Sequence, residues 1–184
     1  MMHAARFLLG VLAIGSAAAQ PLAPSAPLPA WQAPLGKEHP LVGQVWDVRG
    51  ERVITPAALV AELARARYVL LGEKHDNPDH HLLQAWILGE LQAQGRTPLV
   101  AFEMLHTGQA DALARHVQAR PGELEGLAEA VGWASSGWPE WALYEPIFAV
   151  AMAAGWPLKA ANLPPPEVRR IATEGLATLG AERA

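Results

Sequence analysis

A chain of 184 residues, half of them hydrophobic (51%) and with a net charge of −4, is long enough for one domain with a real core. It has no basic run of the kind that tracks phosphates, so nucleic-acid binding is not expected. It has no cysteine, which excludes disulfides, thiolate metal sites, a cysteine nucleophile and an N-terminal lipid-modified cysteine.

The N-terminus reads as an export signal. Arg6 precedes a short apolar run, "FLLGVLAIG", and "SAAAQ" offers a small-residue cleavage site after Ala19. A signal peptide is therefore expected over residues 1–19, and a periplasmic or exported location with it. A retained N-terminal anchor is the alternative. Residues 20–40 are rich in proline and alanine and read as an extended linker. The folded domain is expected over residues 41–184. No second segment looks long enough to cross a membrane.

"GQVWDVRGERVI" holds two β-type runs around Arg49-Gly50 and predicts a hairpin. In "TPAALVAELARA", Thr55 is suited to cap a helix whose first turn takes Pro56. "YVLL", residues 68–71, reads as a buried strand with Tyr68 packed. Asn77 and Pro78 then open a helix running to Gly95, with Leu83, Ile87 and Leu91 on one face. "TPLVAFEM" is a second buried strand. "GQADALARHVQAR" and "GELEGLAEAVGW" read as helices, the first ended by Pro121-Gly122. A Trp- and Tyr-rich segment leads into a helix over residues 145–154. "PLKAAN" is a third strand, and a last helix starts near Glu167.

Strands alternating with helices predict an α/β fold: a mostly parallel sheet with flanking helices, plus the N-terminal β-hairpin. Ligands of such sheets collect outside the carboxyl ends of the strands. The three strand ends deliver Glu73 with His75, Glu103, and Asn162. Glu73 and His75 are two residues apart, as a general-base pair, metal ligands or a pair that locks the loop. Glu103 ends an apolar strand, where a carboxylate needs solvent or a partner. It could share a proton or a cation with Glu73. Asp76, Asn77 and Pro78 fit a helix cap. His80 and His81 lie in the first helical turn and point about 100° apart, so both do not easily serve one site. His116 reads as a helix-surface residue.

"LLGEKHDNPDHH", "VAFEM", "GWPEWALYEPI" and "AAN", in this order, resemble the ChaN-like haem-binding family, within a wider group that includes the TraB/Tiki proteins and the erythromycin-esterase-like enzymes. The resemblance runs from about Val42 to Gly175. It implies an exported protein that binds haem as a homodimer, takes part in haem and iron uptake, and serves an outer-membrane haem transport system. It implies a tyrosine as iron ligand, hence Tyr144 for the metal, with Glu73, His75, His80, His81 and Glu103 as haem contacts. His106 and His116 are weaker candidates for the propionates. The family continues with further helices and a strand ending in a histidine-bearing Gly-rich loop, so a C-terminally truncated, partial domain is expected. "NLPPPE" has proline where members often have arginine. The expectation leans against an enzyme. The alternative is a hydrolase of the erythromycin-esterase or Tiki type, in which Glu73, His75 and Glu103 activate water. A third possibility is a structural or interaction module that keeps only the fold. No Gly-x-Ser-x-Gly supports a serine nucleophile.

Overall fold

Two cap residues set the local structure as the sequence predicts. In the computed structural model, which describes residues 26–179, Thr55 Oγ1 accepts the Ala58 N–H at 3.1 Å and opens α1, Pro56–Arg65. Asn77 Oδ1 accepts the Asp79 N–H at 2.9 Å and opens α2, Pro78–Ala93. Proline takes the first helical position in both, where its missing N–H costs no bond. The expected signal peptide and the first residues of the expected linker lie outside the described residues.

Before α1, β1 (Val45–Asp47) and β2 (Arg52–Ile54) pair antiparallel, with Trp46 opposite Val53. Asp47 Oδ1 accepts the N–H groups of Arg49 and Gly50 at 3.1 and 3.0 Å, which closes the expected hairpin. β3 (Val100–His106) and β4 (Leu158–Asn162) form a parallel pair, Val100 opposite Leu158. Between them run α3 (Ala110–Ala119), the single turn α4 (Leu127–Ala130) and α5 (Trp141–Ala153); α6 (Pro165–Glu174) follows β4. The protein is therefore α/β, with a parallel pair, flanking helices and a separate hairpin.

The core lies between α2, α5 and the parallel pair. Phe102 of β3 stacks on Phe148 of α5 with ring centroids 3.9 Å apart and planes at 7°. Leu105, Leu113, Leu127 and Phe148 are almost wholly buried, and such burial contributes about 1.5–3 kcal/mol for each large apolar side chain. No helix among the described residues is long and apolar enough to cross a membrane.

Three expectations are corrected. Residues 68–71 are extended but pair with no strand: Tyr68 is 75% exposed and Leu70 94%. A buried parallel strand needs cover on both faces, and among the described residues only the Arg67 guanidinium lies over the Tyr68 ring, 5.2 Å from its centre. Helix α5 begins at Trp141, four residues before the expected start, and keeps Pro146 inside it. Proline withholds an N–H from the Ala142 carbonyl and crowds it. Burial of Tyr144, Ile147, Phe148, Ala151 and Met152 on the same helix offsets that cost.

The buried face of α2 is also displaced. It carries His81, Gln84, Ala85, Leu88 and Leu91, while Leu83 and Ile87 are half-buried. Within the expected linker, residues 26–33 lie along α2 and are strapped to it. Asp79 accepts the N–H groups of Gln32 and Ala33 at 2.6 and 3.1 Å. Glu90 accepts that of Ala26 at 2.9 Å, and Trp86 Nε1 donates to the Ala26 carbonyl at 3.2 Å. Buried on two sides, α2 shows little amphipathic contrast.

Candidate functional site

The segment that leads to Glu73 and His75 is held by side chains instead of a strand ladder. Arg96 Nη2 donates to the Ala66 carbonyl at 3.1 Å, and Gln84 Nε2 donates to that of Leu71 at 3.1 Å. His80 Nδ1 accepts the Lys74 N–H at 2.7 Å. His81 Nε2 lies 3.0 Å from the His75 carbonyl, which can only accept, so Nε2 donates. Three of these four anchors come from α2, and the helix cap at Asn77 fixes where they begin.

Glu73 is the hub. Its side chain is only 7% exposed. Oε1 accepts the Tyr144 hydroxyl at 2.8 Å and lies 2.9 Å from His75 Nδ1. Oε2 lies 3.2 Å from His81 Nδ1. That contact lacks hydrogen-bond alignment, which leaves His81 Nδ1 as the buried side-chain polar atom without a hydrogen bond among the described residues. Its pull on Glu73 is therefore by charge. Burial is the largest influence on Glu73 and opposes ionisation. The donors from His75 and Tyr144, the charge of His81 and the Gln84 amide together outweigh it, and hold the carboxyl below its ordinary value of 4.5. Tyr144 moves the other way. Burial first, then its bond to Glu73 and the charges of Glu73 and Glu103, push its phenol well above the ordinary 10.

Packing keeps this cluster rigid. The Tyr144 ring lies 4.2 Å from that of His81 and 5.0 Å from that of Trp133, centroid to centroid. The ring of His75, whose side chain is 49% exposed, meets Trp138 edge-on at 4.7 Å.

Trp138 also lines a cleft of about 320 Å³ with Glu103, Met104, His106, Val131 and Asn162. The cleft sits at the carboxyl ends of β3 and β4, as expected of a parallel pair. Asn162 Nδ2 donates to the Glu103 carbonyl at 3.1 Å and ties the two strand ends together. The volume is at the low end of the roughly 300–1,000 Å³ of small-molecule sites.

The expected site residues divide into three sets. Glu73, His75, His81 and Tyr144 come together in one cluster. Glu103 stands exposed on the cleft wall next to it, close enough for its charge to act on Tyr144. His80 is half-buried, and its Nδ1 serves the turn at Lys74; no contact joins it to Glu73.

Two roles change. Tyr144 has no exposed surface, and its hydroxyl donates inward to a carboxylate that disfavours tyrosinate. His81 is equally buried, beneath the cluster. Of the two propionate candidates, His106 lines the cleft, while its Nδ1 accepts the Gly108 N–H at 3.1 Å. His116 is buried, 3.1 Å from the Glu123 carbonyl, and is not a surface residue.

Sequence reasoning missed Gln84 and Arg96, which hold the loop, and the strap-binding Asp79 and Glu90. The available signal was polar side chains at helical spacing after His81 on a face that otherwise carries alanine and leucine.

Comparison with known proteins places the chain in a family. Residues 59–184, more than half of the chain, match the family described as haem-binding uptake, Tiki superfamily, ChaN. A solved structure of cofacial heme binding to ChaN of Campylobacter jejuni is 27% identical, with a TM-score of 0.61. The match covers 71% of this chain and 52% of that one, so the chain spans about half the length of the solved relative. No curated protein matches.

Proposed function

The chain belongs to the ChaN family of haem-binding uptake proteins in the Tiki superfamily, and from that premise we propose that it binds haem at the cleft beside Glu73 and His75. The observation that carries the reading is the pairing of the two features. A cleft lined by Trp138, Met104 and Val131 among polar side chains such as Glu103, His106 and Asn162 offers both apolar surface and polar contacts to a porphyrin, and the half-exposed imidazole of His75 packs against its Trp138. The donor chemistry fits, because imidazole is a common haem ligand. Haem supplies a Lewis-acidic, redox-active iron; the residues here bind and orient it. Glu103, exposed on the wall, faces whatever occupies the cleft. Glu73, His81 and Tyr144 keep His75 in place from the interior.

The same reading extends to export directed by residues 1–19, pairing as a homodimer, and a role in iron uptake with an outer-membrane haem transport system. Hemin titration of the purified chain tests the core of it. A saturable Soret change is expected. A linear rise with no saturation, as for free hemin, would reject haem binding.

One observation favours a second reading, a hydrolase. The 2.9 Å contact between Glu73 and His75 has the geometry of a carboxylate-oriented general base. Ester or peptide cleavage that disappears in His75→Ala would support it, and cleavage that survives would discard these residues.

A further inference from the structure

A second groove, of about 490 Å³, opens between α4 with the residues before it and the first turns of α5. Leu124 and Ala128 line it with apolar surface, Trp141 supplies an indole, and Glu125, Glu129 and Glu145 supply carboxylates. It shares no lining residue with the cleft at the strand ends. The two lie along one stretch of chain: Ala128 and Glu129 line the groove, and Val131 and Gly132, just after them, line the cleft.

The groove is built on the core. The half-buried Trp141 ring meets Trp133 at 5.0 Å and 74° and Phe148 at 4.9 Å and 35°, and both of these rings are buried. Their packing holds the indole at the wall. Glu145 follows one turn later, on the same side of α5. Leu127, fully buried, pins the short α4 opposite. The carboxylates are uncompensated. All three are exposed, and none forms an ion pair or a hydrogen bond among the described residues. The Arg120 guanidinium donates instead to the Glu125 backbone carbonyl, at 3.3 Å. Three anions around one concave wall focus a negative potential there.

From this pairing of an anchored indole with unpaired carboxylates over an apolar floor, we infer that the groove docks a basic segment of a partner protein and takes one of its arginine side chains. A planar guanidinium stacks on the indole and donates in its own plane to the carboxylates. Its aliphatic stem covers the apolar surface of Leu124 and Ala128. A lysine ammonium brings the charge without the flat face, and an acidic segment or an anionic lipid surface is repelled. A partner seated here lies next to the cleft and leaves it open.

Heteronuclear NMR of the chain tests this. The probe is a five-residue peptide with arginine at its centre among alanines, blocked at both ends. Saturable shifts are expected at residues 124–129, 141 and 145. The same peptide with citrulline, which keeps the shape and loses the charge, should give none. Replacing Glu125, Glu129 and Glu145 together by glutamine should weaken binding roughly 3- to 100-fold, the range for losing up to three exposed ion pairs. These side chains are exposed, so the triple variant is expected to keep the fold, which circular dichroism checks. Trp141→Leu separates the wall from the charge: it should cost the arginine peptide more affinity than its lysine analogue. Hemin titration should give the same result with and without saturating peptide. Equal binding of the citrulline peptide, unchanged affinity in the triple variant, or shifts spread over other acidic surface would overturn the site. Equal losses for arginine and lysine in Trp141→Leu would overturn the choice of arginine. Competition with hemin would make the groove part of the cleft and overturn its independence.

Discussion

Tyr144→Phe isolates one interaction in the cluster. It keeps the buried ring and deletes the hydroxyl that donates to Glu73 Oε1 at 2.8 Å. The acceptor is an ionised, nearly buried carboxylate, and a hydrogen bond to a charged group contributes about 1.5–3 kcal/mol. For a chain of this size each kcal/mol moves Tm by about 2–4 °C, so the melting temperature at pH 7 should fall by roughly 3–12 °C.

The loss must also depend on pH. Glu73 has a folded pKa below 4.5. Its contribution is therefore fully present above 4.5 and fades as the pH falls through the folded value. Below that window Tyr144 meets a protonated partner, and the bond is worth only about 0.5–1.5 kcal/mol. The gap between wild type and variant should narrow on acidification. At the alkaline end the signs reverse. The Tyr144 phenol is raised above 10 in the folded chain, so its contribution is complete below pH 10 and is lost as the pH rises toward the folded value. The variant should lack that alkaline loss. Urea denaturation followed by tryptophan fluorescence across this range reads all three effects. A gap that stays the same from pH 7 to pH 3, or one smaller than about 0.5 kcal/mol at pH 7, would refute the account of Glu73 as a charged acceptor.

The strap and the export signal give two further predictions. Asp79→Ala removes the acceptor for the Gln32 and Ala33 N–H groups, so residues 26–33 should be cut faster in limited proteolysis; an unchanged rate would mean that Glu90 and Trp86 hold the strap alone. Protein recovered from a periplasmic fraction should have the intact mass of a chain beginning near Gln20, and a full-length mass there would rule out cleavage after Ala19.

Most of the fold was legible because its signals are local. Thr55, Asn77 and the prolines after them dictate helix starts through bonds reaching only two or three residues. The hairpin at Arg49-Gly50 and the parallel pair followed from the same kind of short-range pattern. The failures were tertiary. "YVLL" has the composition of a strand, but a strand exists only if another chain segment lies beside it, and four residues carry no record of that. The helix was expected from residue 145, yet the apolar face shared by Tyr144, Phe148 and Met152 carries it back to Trp141. The strap within the expected linker was not legible for a related reason. Its own residues look unstructured, and the groups that fix it, Asp79 and Glu90, lie more than 40 residues away in sequence.

The site shows the same division more sharply. Sequence spacing put Glu73 beside His75, and the structure joins them at 2.9 Å. Sequence also singled out Tyr144, 71 residues away, and the two do meet. What it could not supply was direction. A tyrosine among tryptophans looks like an exposed aromatic ligand or like core, and only the position of its hydroxyl tells which. Here the hydroxyl points inward and anchors the carboxylate of Glu73. Which atom of a cluster is free is set by which atoms its neighbours have already used. That accounting becomes possible only when every partner of Glu73 has been placed.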